Sequence, residues 1–241
     1  MYSIYNQSSA TMEQMSDASV DLVVTSPPYN IGTAYGGYSD KLTQYEYKDM
    51  VSDSLKECVR ALCLNGRLVL QVADTLYMRG NYVQYAGFLA KLILKTGMRL
   101  ESRHFALVGT RDGVELPEEL SNKTGRSGEL WEEYGTFTEQ AQAHSNTHQW
   151  LVFRNGPVRR KKGKILYFNS VPEDGHPCPF GEGEIDFVLD RYFPEHGTVL
   201  DPFMGIAKLG VEVVRRGGSF IGYEISSEIY AVAERNLGNA K

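Results

Sequence analysis

Apolar runs of four to eight residues alternate along the chain with longer stretches of helical spacing. Residues 20–24, VDLVV, read as a strand buried on both faces. Residues 31–43 hold three glycines and show no period, which predicts a loop. Between 45 and 64 the positions Val51, Leu55, Cys58, Val59 and Leu62 share one helical face, and Asn65-Gly66 reads as the stop. Residues 67–73, RLVLQVA, predict a second strand. Residues 82–96 predict a helix closed by Gly97, and 99–108 an extended segment. From 109 to 146 the chain is polar and aperiodic, the signature of an insertion.

Strand character returns at 148–155, HQWLVFRN, and at 165–169, ILYFN, around a basic turn at 158–164. The rest resumes the rhythm: a helix at 184–193, a strand running into a turn at 197–205, a helix at 207–218 and a strand at 219–224. Ser226 is placed to cap a last helix reaching about 237. Strands alternating with crossover helices predict an α/β fold, a doubly wound, mostly parallel sheet of seven-stranded type with a small insertion. The expected organisation is 1–103 and 171–241 as two parts of one domain, with 104–170 inserted between them.

Composition narrows the choices. Of 241 residues, 42% are apolar and 23% charged, enough for a proper core. The net charge of -5 argues against a protein that coats nucleic acid without regard to sequence, although a local basic face remains compatible with it. Cys58, Cys63 and Cys178 form no Cys-x-x-Cys pair, so neither a disulfide framework nor a zinc site is expected. His144 and His148 are four apart without a third ligand, so no metal is expected. With neither a signal-peptide pattern nor an apolar run of membrane-spanning length, the expectation is a soluble protein of a reducing cytoplasm.

Two short stretches carry chemistry. In GTVLDPFMG…SFIGYE a strand ends in Asp201 and a turn containing Pro202, Phe203 and Gly205 opens a helix. A second strand ends in Glu224 about twenty residues later. This is the layout of a nucleotide-type site at the carboxyl edge of a parallel sheet, with Glu224 placed to accept ribose hydroxyls. The turn lacks the repeated glycines and the Gly-Lys-Ser/Thr that cradle phosphates, so an adenosyl group without phosphates fits better. In VDLVVTSPPY the first strand stops at Ser26-Pro27-Pro28-Tyr29. Two prolines fix φ and remove two N–H donors, leaving a stiff turn whose carbonyls are expected to be unoccupied. Together with the Ser26 hydroxyl these acceptors suit an exocyclic amine, and Tyr29 suits stacking on its ring, which requires a base flipped out of a duplex. Each stretch alone is also compatible with an ordinary strand and tight turn.

Taken together, the chain resembles the beta-group DNA amino-methyltransferases, which methylate adenine N6 or cytosine N4 from S-adenosylmethionine. Ser26-Pro27-Pro28-Tyr29 matches their catalytic motif, and Asp201-Pro202-Phe203-Met204-Gly205 their cofactor motif. HPCPF at 176–180 resembles the segment closing over the methionine end, bringing in Pro177 and Phe180. The catalytic motif precedes the cofactor motif, the permuted order of that group and the reverse of the glutamine and RNA enzymes with Asn-Pro-Pro-Tyr. The resemblance implies Ser26, Pro27, Pro28 and Tyr29 as catalytic residues. It implies Asp201, Phe203, Gly205, Glu224, Pro177 and Phe180 around the cofactor. A serine opening the motif favours cytosine N4, with adenine N6 as the alternative.

Where the family continues Gly-x-Gly-Thr-Thr this chain has Gly205-Ile206-Ala207-Lys208-Leu209, and Ala207 is expected to fit only at negative φ. A DNA-binding homologue without cofactor and an enzyme acting on structured RNA are the remaining readings. DNA contacts are expected from 104–170 and its margin, with Arg103, His104, Arg111, Lys123, Arg126, His144, His148 and Arg154 as candidates. Arg159, Arg160, Lys161 and Lys162 form the sharpest basic cluster. Double-stranded DNA is the implied partner. A homodimer and a cognate restriction endonuclease are compatible with the resemblance, and a membrane is not expected.

Overall fold

The computed structural model describes residues 1–35, 38–74, 76–78, 81–109, 147–158, 165–169 and 182–240. Its strands are β1 (Tyr2–Tyr5), β2 (Val20–Thr25), β3 (Ala34–Tyr35), β4 (Tyr38–Ser39), β5 (Leu62–Ala73) and β6 (Leu76–Met78). They continue with β7 (Asn81–Val83), β8 (Arg99–Gly109), β9 (Thr147–Arg154), β10 (Ile165–Asn169), β11 (Thr198–Asp201) and β12 (Ser219–Tyr223). The helices are α1 (Gln44–Ala61), α2 (Tyr85–Lys95), α3 (Glu182–Tyr192), α4 (Lys208–Arg215) and α5 (Ser227–Gly238).

Among the described residues eight strands form one sheet in the order β1-β12-β11-β2-β5-β9-β8-β10, one more than the seven-stranded type. All neighbours are parallel except β9, which runs against both β5 and β8. The buried β2 run feeds both faces. Val20 and Val23 enter the core beneath α1 and α2, while Leu22 and Val24 enter the core beneath α3, α4 and α5. The helices therefore change face between β11 and β2. Such a switch point opens a crevice at the carboxyl ends of the two strands.

Local sequence sets most boundaries. The Thr43 hydroxyl accepts from the Glu46 N–H at 3.3 Å, and the Glu46 carboxylate accepts from the Thr43 N–H at 2.9 Å. This capping box starts α1. Its buried face holds Tyr47, Val51, Leu55, Cys58 and Ala61. The Ser226 hydroxyl accepts from the Ile229 N–H and caps α5.

Other boundaries differ from the sequence expectation. Helix α1 ends at Ala61, three residues before its expected end, because Leu62 turns extended and pairs with Val20. Asn65-Gly66 is a bulge within β5 rather than a helix stop. Asn65 takes φ +68°, and its N–H donates to the Asn155 carbonyl at 2.6 Å. Helix α2 begins at Tyr85, because Asn81–Val83 pairs with β6 in a hairpin. A small hairpin of β3 and β4 lies within the expected loop at 31–43, and β1 adds an edge strand beside β12.

The described parts of 104–170 join the sheet. The second half of β8, all of β9 and all of β10 lie within that segment, and β10 pairs parallel to β8. Packing across the strand faces decides this: Ala106, Trp150 and Val152 are buried in the α3–α5 core.

Candidate active site

The two motifs meet at the switch point. Strands β2 and β11 pair in parallel, with Leu22 opposite Val199 and Val23 opposite Leu200. At their carboxyl ends the buried Thr25 hydroxyl donates to Asp201 Oδ1 at 2.9 Å. Ser26 follows directly, so residues 176 positions apart in the chain form one edge.

On the β11 side the Phe203 N–H donates to Asp201 Oδ1 at 3.0 Å, and the Met204 N–H to the Tyr223 carbonyl at 3.0 Å. Asn236 of α5 donates to the Ile206 carbonyl at 2.9 Å, which ties the far side of the turn. Glu224 follows β12, and its Oε1 accepts from the Ser226 N–H at 2.8 Å. Burial pushes the Asp201 carboxyl up to about 7, against hydrogen bonds from Phe203 and Thr25, and the nearby Glu224 charge adds to the rise. Glu224 is raised as well, chiefly by burial, against backbone donors that include the Gly205 N–H. Two desolvated carboxylates flanking one glycine turn suit a cationic ligand carrying hydroxyls. S-adenosylmethionine, with its sulfonium, ammonium and ribose, has that chemistry.

Ala207 departs from expectation. It adopts φ +59° and ψ 34°, the left-handed region, at the N-cap of α4, and is almost fully buried. An L-residue is strained there by about 1–2 kcal/mol. The turn therefore keeps the backbone path that a glycine would follow, and α4 begins without a side-chain cap. Ala207→Gly is expected to raise stability by about 0.5–1 kcal/mol, relief of strain outweighing the extra freedom glycine gives the unfolded chain. A higher urea midpoint at unchanged slope checks it.

On the β2 side the proline elbow is only partly open. The Pro28 carbonyl accepts from the Tyr47 hydroxyl at 2.7 Å and from the Tyr85 hydroxyl at 3.0 Å, so it is not the unoccupied acceptor that the sequence suggests. Two prolines cannot donate, and the phenols of α1 and α2 satisfy the elbow from outside. Among the described residues nothing donates to the Ser26 hydroxyl or to the Pro27 carbonyl. The Tyr29 hydroxyl accepts from the Ala73 N–H at 3.1 Å, and its ring meets Tyr85 edge-on with centroids 5.2 Å apart.

Beyond the elbow Asn30 takes φ +56°. It exchanges hydrogen bonds with the Leu42 backbone at 2.9 and 2.8 Å. Asp40 is buried, accepts from the Ile31 N–H at 3.2 Å, and is raised by burial. Thr25, Asp40 and Tyr85 belong to no motif in the sequence. Thr25 carries the one available signal, a hydroxyl at the strand end directly before the motif.

The basic candidates divide. Arg103 is exposed, stacks on Phe105 at 4.6 Å and reaches to 3.9 Å from Asp74 beside the carboxyl edge. Gln71 and Glu184 engage His148 near the same edge. His104 is buried against the Tyr192 hydroxyl at 2.9 Å and offers DNA no surface. Arg154 lies at the opposite end of the sheet, opposite Arg67 and Arg99, in an ion cluster with buried Glu101. Arg111, Lys123, Arg126, His144, Arg159, Arg160, Lys161, Lys162, Pro177 and Phe180 lie outside the described residues. Among the described residues no group of His, Cys, Asp and Glu could hold a metal, and no helix is long and apolar enough to cross a membrane.

Comparison with known proteins bears on the family and the fold. The type II methyltransferase M.BglII of Bacillus subtilis is 26% identical over 97% of this chain and 68% of its own length. M.HpaI of Haemophilus parainfluenzae is 29% identical over 94% and 70%. The DNA adenine methyltransferase YhdJ of Escherichia coli is 22% identical over 97% and 81%. Among solved structures, TTHA0409 of Thermus thermophilus, complexed with S-adenosyl-L-methionine, superposes with a TM-score of 0.68 at 18% identity, covering 100% of this chain and 96% of that one. The PvuII DNA methyltransferase, cytosine-N4-specific, gives 0.66 at 18% identity, covering 100% and 93%. The profile of the DNA methylase family matches residues 20–235, and the chain therefore belongs to that S-adenosylmethionine-using family of N6 and N4 amino-methyltransferases.

Proposed function

We propose that this chain methylates an exocyclic amine of a flipped base in double-stranded DNA, with cytosine N4 as the first choice and adenine N6 as the alternative. The observation that carries the reading is the Thr25–Asp201 hydrogen bond, which sets Ser26 beside the cofactor turn. S-adenosylmethionine, when bound, supplies a methyl group on a positively charged sulfur. Asp201 and Glu224 would hold the cofactor, with Glu224 facing ribose hydroxyls, Gly205 giving backbone clearance and Phe203 flanking the turn. Pro177 and Phe180 would close over its methionine end.

The Ser26 hydroxyl and the Pro27 carbonyl would accept the two N–H bonds of the target amine, and the Tyr29 ring would stack on its base. These bonds strengthen as nitrogen becomes tetrahedral and its lone pair is freed from the ring, so they favour the transition state over the ground state. The proton leaves to water, because an aryl-ammonium is a strong acid, and no dedicated base is needed. Serine polarises an amine less than a carboxylate would, which suits cytosine N4.

Arg103 and His148 near the carboxyl edge, with the basic cluster Arg159, Arg160, Lys161 and Lys162, would contact the duplex. A homodimer, a cognate restriction endonuclease and a cytoplasmic location are compatible with this reading. The test is incubation with mixed-sequence duplex DNA and labelled cofactor, then digestion to nucleosides and mass analysis. N4-methylcytosine is expected. N6-methyladenine would move the base assignment, and transfer to structured RNA alone would remove DNA as the substrate.

A further inference from the structure

The elbow raises a mechanical question. In Pro27-Pro28 both φ angles are fixed by the rings, and ψ of Pro27 is restricted by the proline after it. The remaining soft torsion is ψ of Pro28, which sets where the Tyr29 ring lies relative to Ser26 and the Pro27 carbonyl. That torsion also turns the Pro28 carbonyl, the atom on which the Tyr47 and Tyr85 hydroxyls converge at 2.7 and 3.0 Å. The two phenol oxygens also lie against each other, so two protons serve a cluster of three oxygens. Tyr85 is fully buried and Tyr47 nearly so. Tyr47 sits in the first turn of α1, just after the Thr43–Glu46 capping box, and Tyr85 is the first residue of α2. Two helix starts on one face of the sheet thus hold the one torsion that the prolines leave free.

We infer that Tyr47 and Tyr85 are positioning residues for methyl transfer, redundant donors that lock Pro28 ψ and so hold the amine acceptors and the Tyr29 platform in register. The inference rests on the reading of the site as an amino-methyltransferase. It adds a function for two tyrosines that lie in neither motif. Because either phenol alone can still donate to Pro28, the loss is synergistic.

The test compares Tyr47→Phe, Tyr85→Phe and the double variant in methyl transfer to duplex DNA. Cofactor affinity is measured by titration calorimetry, and melting temperature is followed in parallel. Each single variant is expected to lower kcat by less than about threefold, and the double variant by roughly 30- to 100-fold. Cofactor Kd should stay within about twofold, since Asp201 and Glu224 are untouched. A double variant within about threefold of wild type would overturn the inference. So would a fall in kcat matched by lost cofactor binding and melting temperature, because that marks a purely structural role. A wild-type chain that transfers no methyl group to any nucleic acid would remove the functional reading itself, and this inference with it. An active wild type with an unaffected double variant removes the inference alone.

Discussion

Ser26→Ala is expected to lower kcat by about 100-fold or more, with cofactor Kd nearly unchanged. The Ser26 hydroxyl is one of two acceptors at the elbow to which no described residue donates, and it lies one residue beyond the Thr25–Asp201 contact. Removing one preorganised hydrogen-bonding group that acts on developing charge typically removes about 3–4 kcal/mol of transition-state stabilisation. Thr25, not Ser26, makes the contact with Asp201, so the alanine variant leaves the cofactor turn in place. Single-turnover transfer under saturating cofactor separates the chemical step from binding. A rate within about threefold of wild type would remove Ser26 from the mechanism and leave the Pro27 carbonyl without its partner.

The second large effect is a pH dependence of cofactor affinity. Asp201 is pushed up to about 7 by burial, so the cofactor-free chain holds a proton there that the unfolded chain, titrating near 3.8, releases. The group therefore adds stability below about pH 4, and this is lost as pH rises through about 7, on the order of 4 kcal/mol in all. Binding a cation draws Asp201 the other way, toward the ionised form. Affinity for S-adenosylmethionine is thus expected to rise between about pH 6 and 8, by at most about tenfold per unit, with proton release. Titration calorimetry in buffers of different ionisation enthalpy measures that release. Asp201→Asn should flatten the profile, and a wild-type profile already flat from about pH 5.5 to 8.5 would contradict the assignment.

Much of the fold was legible because its cues are local. The β-branched run of β2 and the Ser226 cap of α5 act over a few residues, and both stand where the pattern puts them. The failures share one cause. Helix α1 ends early because burying Leu62 beside Val20 outweighs three more helical residues, a contact 42 positions away that no window along the chain contains. The edge strand β1 has no strong pattern of its own and exists because β12 offers it a partner.

The candidate site follows the same division. Ser26 to Tyr29 and Asp201 to Gly205 are contiguous and could be read directly. The occupied Pro28 carbonyl could not, because its donors come from two helices that reach the elbow only after folding. Ala207 shows the converse limit. Its residue type argued for negative φ, and the hydrogen bonds holding the turn on either side impose the left-handed conformation instead.

The pairing of β2 with β11 also bears on how the chain reaches its native state. The central strand acquires one neighbour, β5, soon after it is made, but its other neighbour is some 176 residues downstream. At about 5–20 residues per second, a ribosome needs on the order of 10–35 s to supply it. Throughout that interval one edge of a strand buried in both cores stands open, a template for unwanted strand addition. High contact order makes the closing step slow even when the whole chain is present. Chaperone dependence during synthesis is the natural counterpart of a topology that joins its catalytic and cofactor halves last.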